Sequence, residues 1–488
     1  MPTVPIPAEV PTVPAAPAPA ARPPGGEPAL RLTPGQERRW AAARADGWRS
    51  GFMSPIYRVP AGTDPGLLAR ALSGAVHRHA PLRTRITPGP DGAPLATLRT
   101  VPDPYPLEVV DLTGLPAGER ADRRALIAAR ELAAPVDLAT DWPLRAVLVA
   151  LGPEGHDLYL TLSHVVADGW SLGVLVTELR DRYRMLSRGV TPPRDQWDAV
   201  WAAHVDDCHE NPDPGGGLGW WRARLGGASC RLELGPPSPD TTGLTIPFTL
   251  PASVSDDLRR TAAALGTGTT CVALAAAAAF LARLTGVPEL LVTVPYAGRH
   301  KPAHEPLVGL FNNRLLLRVP AGPAATLEDL ADRAHEALLD ALEHAETPFQ
   351  LIEDEVFPGD AASTTQTAVQ IIPRSLCDAP ATEPGDVSFR LTGFPTARTR
   401  FQFCLDIVEP DEGPFSGWMT CQAGVLPPET ARGLLAGYIA SLRELTRAPD
   451  RPAGPLLAET EPVVAAAGLT DLNRARREEN PWNASRSA

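Results

Sequence analysis

Between residues 158 and 186 the hydrophobic period changes once, and the change frames a short polar turn. Leu158, Leu160 and Leu162 alternate with Tyr159 and Thr161, which predicts a half-buried strand. Beyond Gly169, Leu172, Leu175, Val176, Leu179, Tyr183 and Leu186 recur at helical spacing, with Ser171 placed to cap the first turn. The stretch Ser163-His164-Val165-Val166-Ala167-Asp168-Gly169 is thus expected at the junction of a strand and a helix, a rigid mount for a reacting side chain. The same alternation of patterns returns in the second half. The apolar run from Cys271 to Ala282 predicts a buried helix started by Thr269 or Thr270 and stopped by Gly286. Leu290 to Val294 and Leu315 to Val319 read as strands. Thr326 and Asp329 open a helix that carries Leu327, Leu330, Ala334, Leu338, Ala341 and Leu342 on one side. A further amphipathic helix is predicted from about Pro428 to Leu445.

These elements suggest an organisation. Residues 1–29 are rich in Pro and Ala and poor in large apolar side chains, so a flexible tail is expected there. Residues 30–190 form a first lobe and 191–455 a second, with residues 456–488 a linker-like tail. The segment from Asp198 to Arg224, preceded by Trp197 and containing Trp201, Trp220 and Trp221, reads as helical and is placed to bridge the lobes. Asp378 to Pro395, rich in Pro, Gly and Thr, is expected to be a long loop or crossover.

Composition narrows the function. A chain of 488 residues with 44% hydrophobic content has material for large cores. A formal net charge of -12 argues against a nucleic-acid surface. The six cysteines form no C-x-x-C pair, which fits reduced thiols in a cytoplasmic protein. No secretory signal is visible, and the longest apolar run is shorter than the roughly 20 residues a membrane span needs, so no membrane partner is expected.

His164 and Asp168 carry the candidate chemistry. An imidazole accepts and returns a proton near neutral pH, so His164 could serve an attacking amine or hydroxyl. Asp168 is better suited to hold the turn, and if buried it requires a cationic partner. On these residues alone, a core histidine satisfied by hydrogen bonds is the commoner account of H-x-x-x-D-G. A metal site is not expected, because no third ligand lies at a usual spacing.

Several separate stretches resemble, in order, the motifs of one family. Thr33-Pro34-Gly35-Gln36-Glu37-Arg38-Arg39-Trp40 is similar to S-x-A-Q-x-R-L-W, and Arg78-His79-Ala80-Pro81-Leu82-Arg83-Thr84 to R-H-E-x-L-R-T. Ser163 to Gly169 stands in the place of H-H-x-x-x-D-G. Trp197 to Trp201 resembles Y-x-D-F-A-V-W, Val308 to Asn313 resembles V-G-x-F-V-N, and Thr347-Pro348-Phe349-Gln350 stands where D-x-P-F-E is expected. Phe401 to Asp406 lies near a later strand motif, and Leu469 to Pro481 resembles the linker that often follows such a domain. The family is that of the condensation domains of nonribosomal peptide synthetases, within the chloramphenicol-acetyltransferase-like superfamily.

The resemblance implies an α/β (α+β) fold of two similar lobes that form a V-shaped pseudo-dimer around a tunnel, with His164 midway along it. It implies an acyltransferase that joins an acyl or aminoacyl thioester to an amine in natural-product biosynthesis. A donor carrier protein would present the thioester on its phosphopantetheine arm, and an acceptor carrier protein or a free small-molecule nucleophile would enter from the other side. No bound cofactor is implied. His164 would be the catalytic residue, Gly169 would offer its N–H to the oxyanion or substrate, Asp168 would pair with Arg299, and Trp170 and Asn313 would touch substrate. Ester formation, a catalytically silent docking platform and acyl transfer from coenzyme A are the alternatives.

Departures are visible too. Ser163 replaces the first His, Asn312 and Arg314 replace Val and Thr, Gln350 replaces a carboxylate, and the final R-D-x-S-R-N-P-L motif has no clear copy. Heterocyclisation is not expected, since that branch carries Asp in place of the first His. Leu225-Gly226-Gly227-Ala228-Ser229 imitates a carrier attachment site, but it follows a Trp-rich stretch of the condensation domain itself, so Ser229 is expected in a turn. Met1 and the flexible tail suggest a freestanding protein.

Overall fold

The structure, a computed structural model, describes residues 29–228, 232, 234–358, 366–460 and 462–463. The N-terminal tail up to residue 28, Ser229, the linker-like stretch from Leu469 to Pro481 and the remaining C-terminal end lie outside the described residues.

Three sheets organise the described residues. A small one joins β1 (Ala29–Leu30), β5 (Pro94–Leu98) and β4 (Thr84–Pro88). The first large sheet has the order β13-β3-β8-β7-β6, from β13 (Arg390–Gly393), β3 (Ile56–Val59), β8 (His156–Ser163), β7 (Leu144–Ala150) and β6 (Glu108–Asp111), with β2 (Phe52–Met53) beside the end of β8. The second has the order β11-β10-β12-β14-β15-β9 and comprises β9 (Gly243–Thr249), β10 (Glu289–Tyr296), β11 (Asn313–Pro320), β12 (Thr367–Pro373), β14 (Phe403–Glu409) and β15 (Ser416–Gln422). Each large sheet has its own core, which gives the two expected lobes.

The strand carrying the site is the most enclosed of its sheet. Leu158, Leu160 and Leu162 of β8 pack with Leu68 and Leu72 of α2 (Pro65–Arg78) and with Leu172, Leu175 and Leu179 of α4 (Gly169–Ser187). The alternating face, expected to be open, is covered by α3 (Ala117–Ala133): Tyr159 packs near Ile127 and Ala128. The polar members of that face survive burial because each is paired. Asp157, with no exposed surface, accepts from Arg58 at 2.8 Å and from Arg124 at 2.7 Å. Alternation in a sequence marks polar positions, and here ion pairs rather than water satisfy them.

In the second lobe α8 (Thr269–Thr285) runs through the core and ends at Gly286 in a left-handed conformation, as expected from the sequence. Its N-cap is Gly268, while Thr269 lies in the first turn and donates its hydroxyl to Glu409 at 3.0 Å. Around it pack α7 (Ala252–Ala264), α9 (Leu327–Glu343), α11 (Pro428–Arg447) and α12 (Ala453–Ala458), and α9 has the reciprocal Thr326/Asp329 capping box that its sequence predicts. The Trp-rich segment is two helices, α5 (Asp198–Glu210) and α6 (Leu218–Leu225), because Pro212, Pro214 and three successive glycines cannot continue a helix. The crossover region contains a strand: β13 leaves the second half of the chain and adds to the edge of the first sheet, with Leu391 opposite Tyr57. Two further helices, α1 (Pro34–Ala45) and α10 (Phe349–Val356), face each other across the lobes, where Arg38 donates to Asp354 at 2.7 Å.

Aromatic rings fill the remaining seam. His204 lies over Phe311 with centroids 4.4 Å apart and 4.9 Å from the ring of His304, beside Trp201. Burial, then the neighbouring imidazole of His304, pushes His204 down to about 3; burial, then Lys301 and Arg299, pushes His304 down to about 4. Both rings are therefore neutral in the folded protein while the unfolded chain binds protons below about 6.5. Stability is complete above that value and declines as pH falls towards the folded values. Thermal unfolding should thus show a loss of about 1–2 kcal/mol per ring between pH 7 and pH 5. His204→Phe should flatten this dependence, and an unchanged slope would refute the assignment.

Candidate functional site at the lobe interface

The turn from Ser163 to Asp168 is fixed at every position. The backbone N–H of His164 donates to Gly51 O at 2.6 Å, and Val166 N donates to Ser163 O at 3.2 Å. Ser163, almost wholly buried, accepts from Val165 N at 3.3 Å, so the residue standing for the first His tightens the turn. Val165 and Val166 anchor it in a cluster with Leu32, Trp40, Ile86 and Leu138. Helix α1 is tied to the same turn: Gln36 closes a capping box with Thr33 and donates its Nε2 to Val165 O at 2.9 Å.

His164 itself is half-buried. Its Nδ1 lies 2.7 Å from Ala167 O, a carbonyl that can only accept, so Nδ1 carries the proton and Nε2 carries the lone pair. Among the described residues Nε2 has no hydrogen-bond partner. Burial, then the charge of Arg39, holds the imidazole well below its usual range, against opposing contributions from the Ala167 carbonyl and Asp168. The ring is neutral at physiological pH, with a free basic nitrogen.

Asp168 does a different job. It is the N-cap of α4, and Ser171, expected as the cap, is the third helical residue and completes a capping box. The reason is that a carboxylate accepts several N–H bonds at once. Oδ1 accepts from Ser171 N at 2.9 Å, Ser171 Oγ at 2.7 Å and Arg299 at 3.1 Å; Oδ2 accepts from Arg299 at 3.0 Å, Phe311 N at 3.0 Å and Asn312 N at 3.1 Å. Burial alone would push this carboxyl up, but Arg299 and the other donors hold it below the ordinary carboxylate range. It stays ionised and bonds both lobes.

Arg299 reaches it from a turn that only glycine allows. Gly298 has φ +67, and a Cβ there would stand 2.0 Å from Phe311 O. The guanidinium also donates to Ala297 O, Leu307 O and Ser171 Oγ and lies over the Phe311 ring.

The other expected residues divide. Gly169 is exposed, and a Cβ on it would meet nothing within 4 Å, so open space adjoins the first turn of α4. Trp170 is half-buried and its indole donates to Glu305 O at 2.9 Å, a bond across the lobes that occupies its only donor. Asn313, expected to touch substrate, has its amide engaged within the protein. Its amide nitrogen donates to Ala345 O and Thr347 O at 2.8 and 2.7 Å, and its oxygen accepts from Phe349 N at 2.8 Å, so both polar ends brace the loop before α10.

Two residues at the site escape a reading of the sequence. Arg39 on α1 and Arg314 on β11 are half-buried, and each lowers the basicity of His164. The signal was present: Arg39 stands where the opening motif has Leu, and Arg314 stands where Thr is usual.

Two similar α/β lobes joined by the Asp168–Arg299 carboxylate–guanidinium fork, beside an imidazole whose Nε2 has no partner among the described residues, define the class of fold and the candidate site. The chain belongs to the condensation-domain family, whose family model matches residues 27–451. It is 32% identical over 370 residues to the phosphinothricin tripeptide synthetase PhsB of Streptomyces viridochromogenes, covering 73% of this chain and 30% of that protein. It is 31% identical over 337 residues to the isonitrile lipopeptide synthase of Mycobacterium tuberculosis, covering 66% of this chain and 13% of that protein. The chain therefore spans less than a third of either relative. The fold is that of the first condensation domain of the calcium-dependent antibiotic synthetase, with a TM-score of 0.74 and 22% identity over 87% of this chain and 98% of that one. The starter condensation domain of rhizomide synthetase superposes with a TM-score of 0.77 at 17% identity, over 87% and 96% of the two chains. Among the described residues no single helix is long and apolar enough to cross a membrane, and no group of three His, Cys, Asp or Glu side chains could hold a metal ion.

Proposed function

We propose that the chain joins an acyl or aminoacyl group, delivered as a thioester on the phosphopantetheine arm of a carrier protein, to an amine. One observation supports this above the others: the Nδ1–H bond to Ala167 O leaves Nε2 as the proton acceptor at the lobe interface. The amine nitrogen attacks the thioester carbonyl, His164 Nε2 takes the proton it sheds, and the tetrahedral adduct expels the pantetheine thiolate, which recovers that proton from the imidazolium. The products are an amide and a free thiol, and the thioester supplies the driving force. Gly169, at the first turn of α4 beside open space, offers its N–H to the developing oxyanion. Asp168, Arg299 and Trp170 position the turn, and the donor carrier protein docks where its arm can reach the seam.

Intact-mass spectrometry of carrier proteins loaded with a panel of acyl groups, incubated with amine and hydroxyl acceptors, tests the reading. Transfer to an amine that requires the chain supports it. An ester product alone would reassign the acceptor, and no transfer with any pairing would overturn the catalytic reading in favour of a docking role.

A further inference from the structure

The surroundings of the His164 turn carry more positive charge than the fold requires. Arg38, Arg39 and Arg314 converge there from α1 and β11. Arg38 is satisfied, since it bonds Asp354 at 2.7 Å and Glu353 at 3.5 Å. Arg39 and Arg314 are not: among the described residues neither makes a hydrogen bond or ion pair, although Arg314 lies over the Phe349 ring with its guanidinium carbon 5.4 Å from the centroid. The carboxylates near them are already engaged, Asp168 by Arg299 and Glu353 by Arg38. Burial, then the like charge of Arg314, pushes Arg39 down to about 9, against smaller opposing contributions from the engaged carboxylates of Asp168 and Glu353. Asn312, two residues before Arg314, has its side-chain oxygen buried with no partner among the described residues. All three adjoin the turn of His164: Gln36, one turn before Arg39, bonds Val165 O, and Asn312 N bonds Asp168. Unpaired cations held partly out of water are costly, and two of them beside a neutral imidazole persist where a ligand neutralises them.

We propose that Arg39 and Arg314 form a binding site for a carboxylate of the substrate, held beside His164, with the Asn312 side chain receiving an N–H of the same molecule. This rests on the reading of His164 as the base of an acyl-transfer site and adds the class of substrate. The phosphate of a pantetheine arm is not the anion meant, because it lies a full arm's length from the thioester that must reach His164. Two sources of a carboxylate remain chemically equivalent: the α-carboxylate of an untethered amino-acid acceptor, and a carboxylate within the transferred acyl group. Guanidinium forks suit either, because both oxygens can be engaged in a plane.

The test compares acids with their primary amides in two arms. In the acceptor arm, free α-amino acids compete with their carboxamides for a neutral acyl thioester. In the donor arm, succinyl pantetheine thioester competes with the succinamoyl thioester for one amine. The expected result is a preference for the acid in one arm of about 10- to 100-fold in kcat/KM, carried mainly by KM, which collapses towards unity in Arg39→Leu/Arg314→Thr. The arm that shows it identifies the source. Equal use of acid and amide in both arms would overturn the proposal, as would a double variant that slows both substrates by one factor and keeps the preference, since the arginines would then serve the oxyanion. Calorimetric binding of the same acids and amides, read without turnover, separates this result from a failure of the catalytic reading. Preferential binding of the acid that the double variant loses supports the site even where no product forms, and equal binding overturns it.

Discussion

Replacing His164 with alanine lowers kcat/KM by about 100- to 10,000-fold, the usual contribution of a positioned general base. The unfolding midpoint should move little, because the side chain contributes one hydrogen bond, to Ala167 O, at the rim of a turn that Gly51, Val165 and Val166 hold independently. The pairing of large kinetic and small thermal effects is the informative outcome. The pH profile of the unaltered protein adds a second check. A base must be neutral to accept a proton, and burial together with Arg39 lowers the proton affinity of this ring. The acid limb of kcat/KM is therefore expected below the ordinary imidazole value of about 6.5, and Arg39→Leu should move it upwards. Unimpaired turnover by the alanine variant would end the catalytic assignment.

The second large effect falls on stability. Arg299→Ala should cost about 3–5 kcal/mol, because it leaves the Asp168 carboxylate, with no exposed surface, without the one cation in contact with it among the described residues. The guanidinium engages both carboxylate oxygens and also holds Ser171 and two backbone carbonyls, so Arg299→Lys, with one ammonium, recovers only part of the loss. Asp168→Ala should be equally damaging, since it removes the acceptor of Phe311 N and Asn312 N as well. Urea unfolding of the three variants measures this. A stability within about 0.5 kcal/mol of the original in Arg299→Ala would show that the fork does not bind the lobes.

The sequence revealed local features and hid those made by distant segments. The β8–turn–α4 unit was readable because its period changes from two to 3.6 around a glycine, and the Thr326 helix because its cap is reciprocal. That β8 is covered on both faces was not readable, since α3, whose arginine pairs with Asp157, lies more than twenty residues upstream and leaves no mark on the alternation. Motif order pointed to Arg299 before any contact was known. It did not reveal that the Asn313 amide braces the loop before α10, since those partners lie more than thirty positions downstream. Arg39 and Arg314 are separated by most of the chain, and no periodicity links them; only their mismatch with the quoted motifs could have drawn attention.

The edge strand from Arg390 to Gly393 has a consequence for synthesis. The ribosome releases the whole of the first lobe's own sequence long before the piece that seals β3, and Thr392 reaches Ile56 O across more than 330 positions. Until then the backbone of Ile56 to Val59 offers unpaired peptide groups along an open flank, a template for self-association. Severing the gene near position 190 should therefore yield an insoluble fragment, rescued when the downstream portion is produced in the same cell.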